Sequence, residues 1–212
     1  MSIAFIPVAA EDIMSGHRPS SRKKILAAAA DLARQAGPVR FSLDAVASHA
    51  GVSKGGLLYN FPTKAKLMQG LVEEYLDEFE QALDAAAGPG EGESLLAAYV
   101  RLTASQCETA QPAAAWIFAA MAEDPDFLEP IHAFRNRLLD RLRAEASDPT
   151  AMMVTFLAVE GLRNMKLFGS KILTPEERED VVASLLSTAE AASRPHETAD
   201  AYSSGSVVNS SG

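Results

Sequence analysis

At 212 residues, with 48% hydrophobic residues and a mean hydropathy near zero, the chain has material for one large domain or two small ones, and no apolar run long enough to span a bilayer. A single cysteine, Cys107, excludes an intrachain disulfide and fits a reducing cytoplasm. The net charge of −9 argues against a nucleic-acid partner only until its distribution is seen: residues 1–70 hold nine Lys and Arg against four Asp and Glu, a balance of +5, so the other 142 residues carry −14.

Residues 1–19 lack a basic leader and include Glu11 and Asp12, so they are expected to form a disordered arm rather than a secretory signal. Ser20 or Ser21 caps a first helix whose Ile25, Leu26, Ala29, Leu32, Ala33 and Ala36 share one face, and Gly37-Pro38 is expected to end it. Ser42 caps a short second helix with Val46, Ala47 and Ala50 facing inward, and Gly51 breaks it. A third short helix covers Lys54 to Asn60 and is blocked by Pro62. Thr63 caps a long fourth helix, in which Leu67, Met68, Leu71, Val72, Tyr75, Leu76, Phe79 and Leu83 keep helical spacing to about Ala87. After the turn "GPGEGE" (Gly88–Glu93), helices are expected at Ser94–Thr109, Pro112–Met121, Phe127–Ala146, Pro149–Gly169 and Pro175–Ala192. Asp148 and Thr174 each precede a proline as N-caps, and Thr174 with Glu177 makes a capping box. The Ser- and Gly-rich tail, residues 193–212, is expected to be disordered. The chain therefore reads as all-α, with a three-helix helix-turn-helix domain over residues 20–66 and a six-helix domain over residues 67–192.

The segment around Gly55 and Gly56 decides what the basic end does. Each glycine weakens a helix by roughly 1 kcal/mol relative to alanine. Gly51 supplies the positive φ of a turn between two short helices, and Ala47, one turn earlier, leaves room for the third helix to cross closely. In such a motif the second helix enters the major groove of DNA N-terminus first. Bare glycines at 55 and 56 then allow close approach and leave backbone N–H groups facing phosphate. Lys54 and Lys64 bring positive charge to the two sides, and Tyr59 and Asn60 can bond phosphate or a base edge.

On these residues, "FSLDAVASHAGVSKGGLLYNFPTKAKLMQGLVEE" (Phe41–Glu74) resembles the DNA-binding segment of tetracycline-repressor (TetR/AcrR) family transcriptional regulators. The run "AGVSKGGLLYNFPTK" (Ala50–Lys64) is its most specific part, and the resemblance spans about Pro19 to Glu74. It implies that Ser53, Lys54, Gly55, Gly56, Tyr59 and Asn60 belong to the groove helix, that Lys64 binds phosphate, and that Ser42 and Leu43 approach phosphate from the second helix. Family members often carry a larger polar side chain where this sequence has Gly55 or Gly56, so direct base reading would lean on Lys54, Asn60 and DNA shape. The implied protein is a regulator, most readily a repressor, released from a palindromic double-stranded operator by a small-molecule effector.

The acidic half resembles that family in the number and length of its helices, which implies an effector cavity among the middle helices and dimerisation through the last two. The segment "PTAMMVTFLAVEGLRNMKLFG" (Pro149–Gly169) is apolar on more than one face, as suits a helix with a core on one side and a partner on the other. With the stripe Val181, Val182, Leu185, Leu186 and Ala189, two such helices per chain can build an intermolecular four-helix bundle, and hence a homodimer. Trp116, Phe156 and Asn164 are candidate ligand contacts for a partly apolar effector; Glu160, Arg163 and Asn164 either orient a ligand or pair with each other or with the partner chain.

Enzymatic readings find little support. The histidines His17, His49, His132 and His196 are far apart, Glu129 and His132 form the only E-x-x-H pair, and no P-loop, G-x-G-x-x-G or G-x-S-x-G occurs. No metal, cofactor or membrane partner is expected. The competing class is a helical ligand-binding or adaptor protein in which the helix-turn-helix only packs.

Overall fold

The computed structural model describes residues 20–88, 93–109 and 120–193, with 34–40 and 107–109 described by their backbone alone. The expected terminal segments, most of the helix Pro112–Met121 and Trp116 lie outside the described residues. Those described form α1 (Ser21–Arg40), α2 (Leu43–Ala50), α3 (Lys54–Asn60), α4 (Lys64–Ala86), α5 (Leu95–Thr109), a 3-10 turn (Pro125–Leu128), α6 (Glu129–Glu145), α7 (Pro149–Leu167) and α8 (Pro175–Ser193), with no strand among them. No helix among them is long and apolar enough to cross a membrane.

Most helix starts are set by the side chains the sequence marks. Ser20, Ser42, Ser53 and Thr63 each accept a hydrogen bond from the backbone N–H three residues on, and Asp148 accepts from Thr150 and Ala151 at 3.0 Å. Thr174 and Glu177 exchange the two bonds of a capping box, at 2.8 and 3.2 Å. Two boundaries differ from expectation. Helix α1 runs through Gly37 and Pro38 to Arg40. A proline there removes one hydrogen bond in the last turn and leaves the earlier turns intact. Before α6 the chain first makes the 3-10 turn, because the Asp124 carboxylate accepts from the Asp126 N–H at 3.0 Å and holds Pro125 at the turn's start.

Helices α1 to α3 close on a small core of Ile25, Leu26, Ala29, Val46, Ala47 and Leu57, all buried. Helix α4 leaves this head and continues into the second unit, where it packs against α5 and α6, while α5, α7 and α8 pack on one another. The joint between head and α4 is tight. Phe61 is buried against Gly70, where a Cβ would lie 2.8 Å from the Phe61 ring and 3.2 Å from Leu26. Arg22 covers the same ring at 5.0 Å and pairs with Glu73 of α4 at 3.1 Å. Gly70→Val is therefore expected to destabilise the protein by about 1–3 kcal/mol through overpacking, even though valine is the better helix former. Urea unfolding measures this, and a midpoint at or above the wild-type value would show that the joint can relax.

Candidate nucleic-acid interface

The turn between α2 and α3 is closed by Gly51 at φ +65, with Gly51 N–H donating to the Ser48 carbonyl at 3.3 Å and Val52 N–H to the Ala47 carbonyl at 3.0 Å. Ala47 and Leu57 are buried between the helices, so the outer side of α3 is turned away from the core. On that side Ser53, Lys54, Gly55, Leu58 and Tyr59 are exposed, and Tyr59 reaches 90% exposure. A tyrosine standing this far out of a folded head buries almost none of its surface in its own chain.

The two glycines differ. A Cβ at Gly55 would meet nothing within 4 Å, so no packing in the head requires glycine there. At Gly56 a Cβ would come within 3.2 Å of Ser53 Oγ, the atom that accepts the Gly56 N–H at 3.1 Å, so the small residue there also serves the cap.

The remaining candidates are held by their own chain to different degrees. Ser42 is exposed and caps α2, whereas Leu43 is half-buried against the core. Lys54 Nζ lies 2.9 Å from the Asp44 carboxylate of α2 with both side chains largely exposed, a pair that solvent screens strongly. Asn60 is turned inward: its amide donates to the Gly56 carbonyl at 2.8 Å and to Ser21 Oγ at 3.4 Å. A base-reading Asn60 would first give up both bonds. Lys64 Nζ donates to the Phe41 carbonyl at 3.0 Å and sits 5.4 Å from the centre of the Phe41 ring, bracing the exit of α1 against the start of α4. Next to it, Lys66 pairs with Asp124 at 2.7 Å, and Gln69 donates to the Asp126 carbonyl at 3.2 Å, which ties the first turns of α4 to the 3-10 turn.

In the acidic half, α7 buries Met152, Thr155, Phe156, Val159, Glu160, Arg163 and Leu167. Phe156 stacks on Tyr99 with ring centres 5.7 Å apart, whereas Asn164, eight residues further along the helix, is exposed. These two candidate ligand contacts are thus not brought together. The pairing of Glu160 with Arg163 occurs within the chain, at 3.3 Å, and draws in Tyr99 and Arg135. Burial pushes the Tyr99 phenol well above its usual pKa, which keeps it a neutral donor to the Glu160 carboxylate. Neither Tyr99 nor Arg135 stood out in the sequence, since each is one of several polar groups on its helix. Among the described residues no three His, Cys, Asp or Glu side chains group as metal ligands would.

Comparison with known proteins accounts for both halves. Residues 25–71 match the model for bacterial regulatory proteins of the tetR family, and residues 93–190 match the tetracyclin repressor-like C-terminal domain. No curated protein sequence matches the chain. Among solved structures, the fold is similar to the multidrug binding protein EbrR in complex with imidazole, at 21% identity over 81% of this chain and 96% of that one, with a TM-score of 0.58. It is also similar to SCO7518 from Streptomyces coelicolor A3(2), at 20% identity over 81% and 99% of the two chains and a TM-score of 0.57. A member of the TetR family from Streptomyces coelicolor A3, SCO1917, is 22% identical over 79% and 98%, with a TM-score of 0.53.

Proposed function

The chain belongs to the tetR family of bacterial regulatory proteins and is a DNA-binding transcriptional regulator; from that premise we propose a homodimeric, cytoplasmic repressor that occupies a palindromic double-stranded operator and leaves it when a small-molecule effector binds the acidic half. The observation that carries the operator contact is the bare start of α3, where Gly55 faces open space beside the protruding Tyr59. Ser42, Leu43, Ser53, Lys54, Gly55, Gly56, Tyr59, Asn60 and Lys64 are the proposed contact set, with Lys54 exchanging Asp44 for a phosphate.

The dimer is supported by an outward stripe on α7 and the segment after it. Val154 and Leu157 are each 60% exposed, Phe168 61% and Ile172 76%. Residues 154, 157, 161, 164 and 168 recur at alternating steps of three and four, the spacing of a helix seam. Gly161 lies on that seam, and a Cβ there would meet nothing in its own chain, so the glycine suits close approach by a second helix. On this reading Asn164 faces the partner chain rather than an effector. Two chains joined there would present two groove helices to half-sites about 34 Å apart.

The test is DNA-binding anisotropy across a salt series, using DNA that flanks the protein's own gene. Lys54→Ala is expected to flatten the slope of log affinity against log salt by about 2, one for each protomer, and to weaken binding at low salt. Unchanged affinity and slope would remove Lys54 from the interface. The adaptor alternative predicts no bound fragment at any salt.

A further inference from the structure

The outer face of α3 carries more apolar surface than hydrogen-bonding side chains. Lys54, Gly55, Leu58 and Tyr59 follow one another at helical spacing on that face, and all four are exposed. Leu58 is 37% exposed and Tyr59 90%, and among the described side chains of the head no other large hydrophobic one is exposed. The polar groups around them are largely taken. Ser53 Oγ accepts the Gly56 N–H at 3.1 Å, Asn60 donates to the Gly56 carbonyl and to Ser21, and Lys54 lies 2.9 Å from the Asp44 carboxylate. Gly55 and Gly56 have no side chain to offer. A Cβ at Gly55 would meet nothing in this chain, so no side chain there holds Leu58, three residues on, away from a groove.

A single exposed leucine on a protein surface needs no explanation. Here the exposed apolar side chains of the head are adjacent, and both lie on the face that is proposed to meet base edges. The hydrogen-bonding groups of the major groove call for polar side chains, and the apolar group among them is the C5-methyl of thymine. We propose that Leu58, with the ring of the neighbouring Tyr59, packs on thymine methyl groups and so sets part of the operator's sequence; this rests on the operator contact proposed above and adds Leu58 to it. Thymine is then recognised without a hydrogen bond, as suits a helix with two bare glycines and an asparagine turned inward. Burying one methyl group changes an equilibrium constant by about fourfold, and a dimer buries one in each half-site.

The protein first selects its tightest duplex from a randomised pool. Each thymine of the selected half-site, on either strand, is then replaced by deoxyuridine in both halves. That removes the methyl and keeps every hydrogen-bonding group, and fluorescence anisotropy reads the affinity. The wild-type protein is expected to lose about tenfold or more at one or more of these thymines. Leu58→Ala is expected to bind the thymine duplex about tenfold more weakly, and to differ by less than about twofold between the two duplexes at that position. If Leu58→Ala does not fold, Leu58→Gln, closer to leucine in size, takes its place with the same expectation. A wild type indifferent to every deoxyuridine overturns the proposal. So does a Leu58 variant that loses affinity but keeps the wild-type preference for thymine, since the leucine would then serve the fold or the sugar-phosphate backbone. A selected half-site without an A·T pair overturns it as well and leaves the operator contact standing. Selection of no duplex at all removes the operator contact together with the methyl contact.

Discussion

Gly55→Glu is expected to cost more than about a hundredfold in operator affinity while leaving the folded protein as stable as before or more so. Nothing in the head stands within 4 Å of a Cβ at this position, so the new side chain meets no steric opposition. Glycine is among the weakest helix formers, and replacing it in an exposed first turn gains about 0.5–1 kcal/mol. A carboxylate in the first turn of a helix adds about 0.3–1 kcal/mol through the helix dipole. Thermal unfolding should therefore move up by a few degrees. At the proposed groove surface the same carboxylate faces phosphate oxygens, and a dimer presents it twice. Full affinity in this variant would mean that the start of α3 does not face DNA, and the contact set would fall with it. Loss of both stability and binding would instead point to a packing role that the open space at Gly55 argues against.

Leu157→Glu is expected to separate the protomers and, with them, the two heads. The side chain is 60% exposed in the single chain, so the substitution leaves the protomer core alone. Across a two-fold axis it places two carboxylates in one apolar seam, each deprived of water. Size-exclusion chromatography with light scattering should then give the mass of one 22.5 kDa chain. Operator affinity should drop by a factor of about a hundred or more, because two linked half-sites become two independent ones. A dimer of unchanged stability would move the interface to another surface.

What the sequence reveals about this fold is mostly local. The caps Ser42, Ser53 and Thr63 and the left-handed Gly51 could be read because each acts on backbone within a few residues of itself. The apolar face of α4 was legible for a similar reason, since its buried residues keep a single helical spacing over 23 residues. Contacts between distant segments were not legible. Nothing near Gly70 announces that Phe61 and Leu26 lie against it, so its glycine looked like any other in a helix. Asn60 bonds the Gly56 carbonyl at 2.8 Å and also reaches Ser21, 39 residues away, at 3.4 Å. The rotation of α7 was hidden by its own composition: with apolar residues on several faces, periodicity could not say that Phe156 points in and Asn164 out. Gly37-Pro38 misled because punctuation by residue type gives the cost of continuing a helix but does not forbid it, and the backbone of α1 continues to Arg40.

The Phe61–Gly70 joint also has a mechanical consequence. With the ring seated on α4 and Arg22 bridging to Glu73, the head cannot swivel independently of the first two turns of that helix. The head and α4 thus form one lever about 34 Å long, at 1.5 Å of rise for each of its 23 residues. A rotation of 5° at its far end would carry α3 through an arc of about 3 Å. That displacement is as long as a hydrogen bond, so a modest shift deep in the acidic half would be enough to put two reading heads out of step with the helical repeat of DNA.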